Sequence, residues 1–114
     1  MFRGRERTFN VLAAPRVGSS ETCVRRVRLD PDAEGVPHRA DREQIVLITA
    51  GAAIAIVAGV RDALLPGDTV IVPPDAEFSL ANATSEPCEA VAVLPVGAKI
   101  TPDGGVPELP AWLE

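Results

Sequence analysis

The chain contains a single histidine, His38. No other side chain has an unperturbed pKa so close to neutrality, so His38 is the first candidate for moving a proton at physiological pH. The structural alternative is an imidazole that merely satisfies its own hydrogen bonds. Three arginines sit close together at Arg25, Arg26 and Arg28. The run reads as a solvated strand face. Arg26 and Arg28 are two apart and share a face, and an inward placement would let them bind a carboxylate or phosphate. Ser79 and Ser85 have no neighbouring His–Asp pair in sequence. Neither GxGxxG nor a P-loop occurs. Cys23 and Cys88 are isolated, without a CxxC pattern, and are expected to be reduced and inert, with a pairing across a sheet left open.

These residues must be positioned by strands. Apolar and polar residues alternate at period two, and β-branched residues are dense. The predicted strands are Thr8–Ala13, Thr22–Leu29, Gln44–Thr49, Ala53–Val57, Val60–Leu64, Thr69–Val72, Glu77–Ala81 and Ala90–Leu94. Turn residues separate most of them, as at Val17-Gly18-Ser19-Ser20, Pro66-Gly67-Asp68 and Pro73-Pro74-Asp75. Ala50–Ala58 is Ala-rich, yet its length and flanking glycines favour a strand. Alternation places Gln44, Val46 and Ile48 on one face, and likewise Phe78 and Leu80. Eleven prolines and nine glycines leave little room for long helices. An all-β sandwich or barrel is the expectation.

The segment from Pro37 to Asn82 reads PHRADREQIVLITAG, a second apolar stretch, and then LLPGDTVIVPPDAEFSLAN. In order and separation it resembles the cupin superfamily, small β-barrels that often hold a metal among histidines. The resemblance spans roughly 30–95. It implies a cupin-type β-barrel, or double-stranded jelly roll, with 1–114 forming one domain and 99–114 a C-terminal tail. Cupins carry two histidines and a Glu or Gln in their first motif, closed by a glycine, and another histidine in their second. Here His38, Gln44 and Gly51 match the first motif, with Ala40 in place of the second histidine. Gly67, Pro73 and Asn82 match the second, while Asp75 replaces a glycine and Phe78 the histidine. Two of four ligand positions thus lack a donor, and a catalytic metal needs about three protein ligands. No metal and no other cofactor are expected.

The function this implies is binding of a small organic molecule in the barrel. His38 and Gln44 are the candidate catalytic pair. Ala40, Val46, Ile48, Phe78, Leu80, Arg26 and Arg28 are the candidate pocket. Acid/base chemistry of an isomerase, cyclase or lyase type would need no redox metal. A non-catalytic sensor or structural cupin is the alternative, and a metal-dependent oxygenase or isomerase with an atypical ligand set is a third. Net charge is −5, and it is uneven: residues 1–61 hold ten arginines against seven acids, whereas residues 62–114 hold Lys99 against nine acids. The acidic total argues against a nucleic-acid partner, and no stretch has the length of a transmembrane helix. A cytoplasmic homodimer is expected. Ile45 and Leu47 would form its apolar outer face, Thr8–Ala13 would cross to the partner, and Trp112 would pack on the barrel or on that partner.

Overall fold

The computed structural model describes residues 2–4, as backbone only, and residues 7–110. Trp112 lies outside them. Among the described residues the elements are β1 (Phe2–Gly4), β2 (Arg7–Ala13), β3 (Thr22–Leu29), β4 (His38–Ala40), β5 (Gln44–Ala50), β6 (Ala53–Val57), β7 (Val60–Leu64), β8 (Thr69–Val72), β9 (Phe78–Ala81), β10 (Cys88–Pro95) and β11 (Ile100–Pro102). A one-turn 3-10 helix at Pro15–Val17 is the one helical element among the described residues. No described helix is long and apolar enough to cross a membrane.

Two antiparallel sheets face each other, in strand orders β1-β2-β3-β10-β5-β8 and β11-β4-β9-β6-β7. This is a double-sheet jelly roll, as the period-two pattern requires. Every predicted segment is a strand. Three strands were not predicted: β1, β4 and β11. Each is three residues long, too short to show alternation. The strand β4 exists because it is paired on both sides, Ala40 with Ile100 of β11 and His38 with Phe78 of β9. The segment expected to cross to a partner, β2, pairs along β3 of its own chain.

The core lies between the sheets. In β5, Gln44, Val46 and Ile48 are buried, and Leu47 points out. Phe78 and Leu80 of β9 face them from the other sheet, with Leu29, Ala90 and Ala92 completing the cluster. A second cluster holds Ala14, Cys23, Ala40, Leu94 and Ala98.

The turns set where the strands begin. Gly67 has φ +93° and donates its N–H to the Ile48 carbonyl at 2.8 Å, docking the Pro66-Gly67-Asp68 turn onto β5. The Asp68 carboxylate accepts the Leu65 N–H at 2.8 Å. Asp75 stands where cupins carry glycine and adopts the left-handed conformation, φ +64°. Aspartate tolerates this better than most residues. The Asp75 N–H donates to Ala40 at 2.7 Å, and its carbonyl accepts from Arg39 at 2.7 Å, so the turn is tied to β4. Gly51 has φ +76°, and a Cβ there would collide with the Pro87 carbonyl, so no other residue fits without moving β10.

Asn82 closes one end of the barrel. Its amide nitrogen reaches the carbonyls of Glu86 (2.7 Å), Asp30 (3.2 Å) and Leu29 (3.4 Å). Its amide oxygen accepts the Thr84 N–H at 3.0 Å and hydroxyl at 2.7 Å. Three loop ends are thereby held by one side chain.

Cys23 and Cys88 are both buried. In the β3–β10 ladder Cys23 pairs with Leu94 and Cys88 with Leu29. The two thiols therefore sit at opposite ends of the ladder, roughly 20 Å apart at the rise of an extended strand. A disulfide needs Cα atoms within about 7 Å, so the cross-sheet pairing left open by the sequence does not form.

Candidate functional site

A cavity of about 330 Å³ opens between the sheets. Val46, Phe78, Leu80, Val27, Phe9 and Ala92 form its apolar walls, and the polar groups on it are Gln44, His38, Arg7, Arg25 and Glu108. Strand alternation explains most of this list. Cys23, Val27 and Leu29 mark the inner face of β3, and Arg25 falls on the same face.

The expected pocket needs three corrections. Arg26 and Arg28 are exposed on the outer face of β3, where Arg28 lies 3.7 Å from Glu89 in a surface ion pair. The inward arginine is their neighbour Arg25. Ala40 shares the His38 face of β4 but lies two residues further along the strand, where it is buried in the second cluster and does not line the cavity. Ile48 is buried one step further along β5 than Val46, packed into the core beyond the cavity. Sequence reasoning missed Arg25, Arg7 and Phe9. The signal for Arg25 was present, two residues after Cys23 and two before Val27. Arg7 and Phe9 share a face of β2 in the same way.

His38 stacks edge-on against Phe78, with ring centroids 5.5 Å apart and planes at 66°. Its Nδ1 is 3.0 Å from the Val36 carbonyl. A carbonyl only accepts, so Nδ1 carries the proton and the neutral ring presents Nε2 as a base. Burial pushes the His38 pKa below its ordinary value, outweighing the Val36 hydrogen bond, and Arg25 and Arg7 push in the same direction. The imidazole is therefore neutral at pH 7.

Gln44 is 2 % exposed, yet its carboxamide makes no hydrogen bond with any described residue. It lines the cavity. Arg25 is 8 % exposed and lies over the Phe9 ring, its guanidinium carbon 5.4 Å from the centroid. Burial pushes its pKa down to about 9, with Arg7 adding to the effect, which still leaves it charged at neutral pH. Arg7 donates to the Glu34 carbonyl at 2.9 Å and more weakly to Leu80 at 3.4 Å, which bolts β2 across the cavity rim.

The matching family model, a cupin domain, covers residues 25–94, more than half of the chain. The chain belongs to the cupin family. Solved cupin-fold structures superpose well on it. The polyketide cyclase RemF from Streptomyces resistomycificus is 17% identical with a TM-score of 0.76, over 82% of this chain and 68% of that one. A sugar phosphate isomerase of the cupin superfamily from Silicibacter pomeroyi is 21% identical with a TM-score of 0.71, over 85% and 65%. The salicylate 1,2-dioxygenase of Pseudaminobacter salicylatoxidans is 15% identical with a TM-score of 0.75, over 89% of this chain but 31% of that one. At these identities the likeness is one of fold. This cupin spans about two thirds of the cyclase and isomerase chains and under a third of the dioxygenase. A search of curated proteins finds no match.

Many cupins hold a metal, and the residues here do not fit one. The four motif positions carry one imidazole, one neutral amide, one alanine buried elsewhere and one phenyl ring. No group of three or more His, Cys, Asp or Glu side chains is placed to hold a metal among the described residues. Two guanidinium groups lie close enough to lower the His38 pKa, so the field at the imidazole opposes a cation.

Proposed function

We propose that this cupin binds a small organic molecule in its barrel and performs metal-independent acid/base chemistry on it, of the isomerase, cyclase or lyase type. One observation carries the reading: a buried carboxamide with no hydrogen-bond partner among the described residues lines the same apolar cavity as a neutral imidazole. The Gln44 amide opens onto the cavity, where a ligand carbonyl or hydroxyl would take the place of water. The cavity has the size and mixed character of ligand sites, apolar walls with a few polar anchors.

The chemistry follows from the tautomer. Nε2 of His38 takes a proton from a carbon next to a substrate carbonyl. Negative charge moves to the carbonyl oxygen, which accepts a hydrogen bond from the Gln44 amide. Return of the proton to a different atom gives an isomer, and expulsion of a β-substituent gives a lyase product. The apolar walls keep bulk water from the anion. The polyketide cyclase and sugar phosphate isomerase among the structural relatives show that the fold hosts reactions of these classes.

The test is turnover with the Ala variant of the base. His38→Ala is expected to lower turnover by about 10²–10⁴-fold while the protein stays folded. Full turnover in that variant would leave His38 a structural remnant and favour a non-catalytic binding protein.

We also propose that the protein works as a homodimer. On the outer face of the larger sheet, Val24, Val93, Ile45 and Ile71 lie in one cross-strand row over β3, β10, β5 and β8, with Leu47 and Val91 in the next. Ile71 is 59% exposed. A row of this length favours a second sheet as its cover. Light scattering at micromolar concentration is expected to give twice the chain mass, and Ile71→Lys to halve it.

A further inference from the structure

We infer that the molecule this cavity takes is a phenol or a stable enol on a flat unsaturated body, whose O–H donates to Nε2 of His38 while a second oxygen meets the Gln44 amide. The inference rests on the reading of the cavity as a small-molecule site and adds the hydrogen-bond pattern of the ligand.

Most of the polar side chains on the cavity are already engaged. Arg7 donates to the Glu34 carbonyl at 2.9 Å, Arg25 lies over the Phe9 ring, and each has a further interaction within the protein. Glu108 is exposed to water. His38 and Gln44 are different. His38 spends Nδ1 on the Val36 carbonyl at 3.0 Å, and its Nε2 has no hydrogen bond with any described residue. Gln44 is 2 % exposed and its carboxamide has none either. The two groups come from opposite sheets, His38 from β4 and Gln44 from β5, so a ligand lying between the sheets meets one on each side.

The sense of each bond follows from the donors and acceptors. With the ring proton on Nδ1, Nε2 can only accept, so the ligand must bring the donor. A carboxylic acid has already lost that proton at pH 7, and an ether or a ketone has none. A phenol keeps it. Gln44 offers two N–H donors and one carbonyl acceptor, which suit a carbonyl or a second hydroxyl on the same body. Phe9 of the larger sheet and Phe78 of the smaller both line the cavity, so a flat unsaturated body meets an aromatic side chain on each side. About 330 Å³ is roughly the liquid volume of ten waters, so that body has on the order of a dozen non-hydrogen atoms.

The experiment titrates 2-naphthol and 2-methoxynaphthalene calorimetrically into the untagged full chain at pH 7.5. The second probe keeps the ring and the oxygen but has no O–H. Naphthol is expected to bind about tenfold more tightly, the effect of one net hydrogen bond of ordinary strength. His38→Ala should bring the two affinities together. A carbonyl added across the ring, in 6-hydroxy-2-naphthaldehyde, should raise affinity over naphthol in the wild type, and Gln44→Leu should cancel that gain. The chain has one histidine, so ¹⁵N spectra of the histidine-labelled protein report a single imidazole. Nδ1 should carry the proton in the free protein, and naphthol should shift the Nε2 resonance much more than methoxynaphthalene does. Should His38→Ala fail to fold, these spectra decide. A proton found on Nε2, equal binding of naphthol and methoxynaphthalene, or a naphthol preference that survives in folded His38→Ala overturns the hydroxyl requirement and leaves the small-molecule site standing. Binding of none of the three probes overturns both.

Discussion

Two carboxamides are buried in this barrel, and they are treated in opposite ways. Asn82 is 1 % exposed and Gln44 2 %. Asn82 has carbonyls, an N–H and a hydroxyl around it, all within 3.4 Å. Gln44 has none among the described residues. Both occupy positions that the cupin motifs mark as polar. The difference separates scaffold from site. At one end of the barrel the chain itself satisfies the Asn82 carboxamide, which ties the loops together. At the other, the Gln44 amide is left open to the cavity, which His38 and Arg25 also line. Burial alone would not have told the two amides apart; the count of partners does.

Substitution tests this contrast most strongly at Asn82. Asn82→Ala removes a side chain that satisfies groups from Leu29 to Glu86, and leaves several of them buried without partners. It should cost about 3 kcal/mol in urea denaturation. Gln44→Leu should change stability by less than about 1 kcal/mol, because an unpartnered amide is replaced by hydrocarbon of similar size. Equal losses for the two would mean that Gln44 is also structural, and the contrast would collapse. The smallest effect concerns acid. The folded His38 pKa lies below the unfolded value of 6.5. As pH falls below 6.5 the unfolded chain takes up that proton first, so stability is lost on acidification. Melting curves from pH 7.5 to 5 should therefore fall less steeply in His38→Gln than in the wild type.

The fold was open to reading in the sequence because period-two alternation and turn residues are local signals. β3, β6, β7 and β8 begin and end where those signals put them. β4 and β11 were not readable, since three-residue strands exist only through their partners. Gln44, Val46, Phe78 and Leu80 could be assigned a face from alternation alone. The arginines were misassigned for a specific reason. Three of them in four positions of one strand look like a single charged face, whereas a strand must divide them, two outward and one inward. The apolar marks at Cys23, Val27 and Leu29 identify which one. The cavity itself was beyond reach, because it depends on how far two sheets stand apart, which no spacing along the chain encodes.

The placement of Cys23 and Cys88 has a practical consequence. Burial raises both thiol pKa values, so neither reacts readily while its surroundings stay shut. Because they mark opposite ends of the β3–β10 ladder, alkylation followed peptide by peptide would time the opening of each end separately. Cys88 lies beside the end closed by Asn82, and Cys23 shares a cluster with Ala40, on the strand that carries His38. Faster labelling of Cys23 would mean that the barrel breathes at its ligand end, and that substrate enters through a motion the protein already makes.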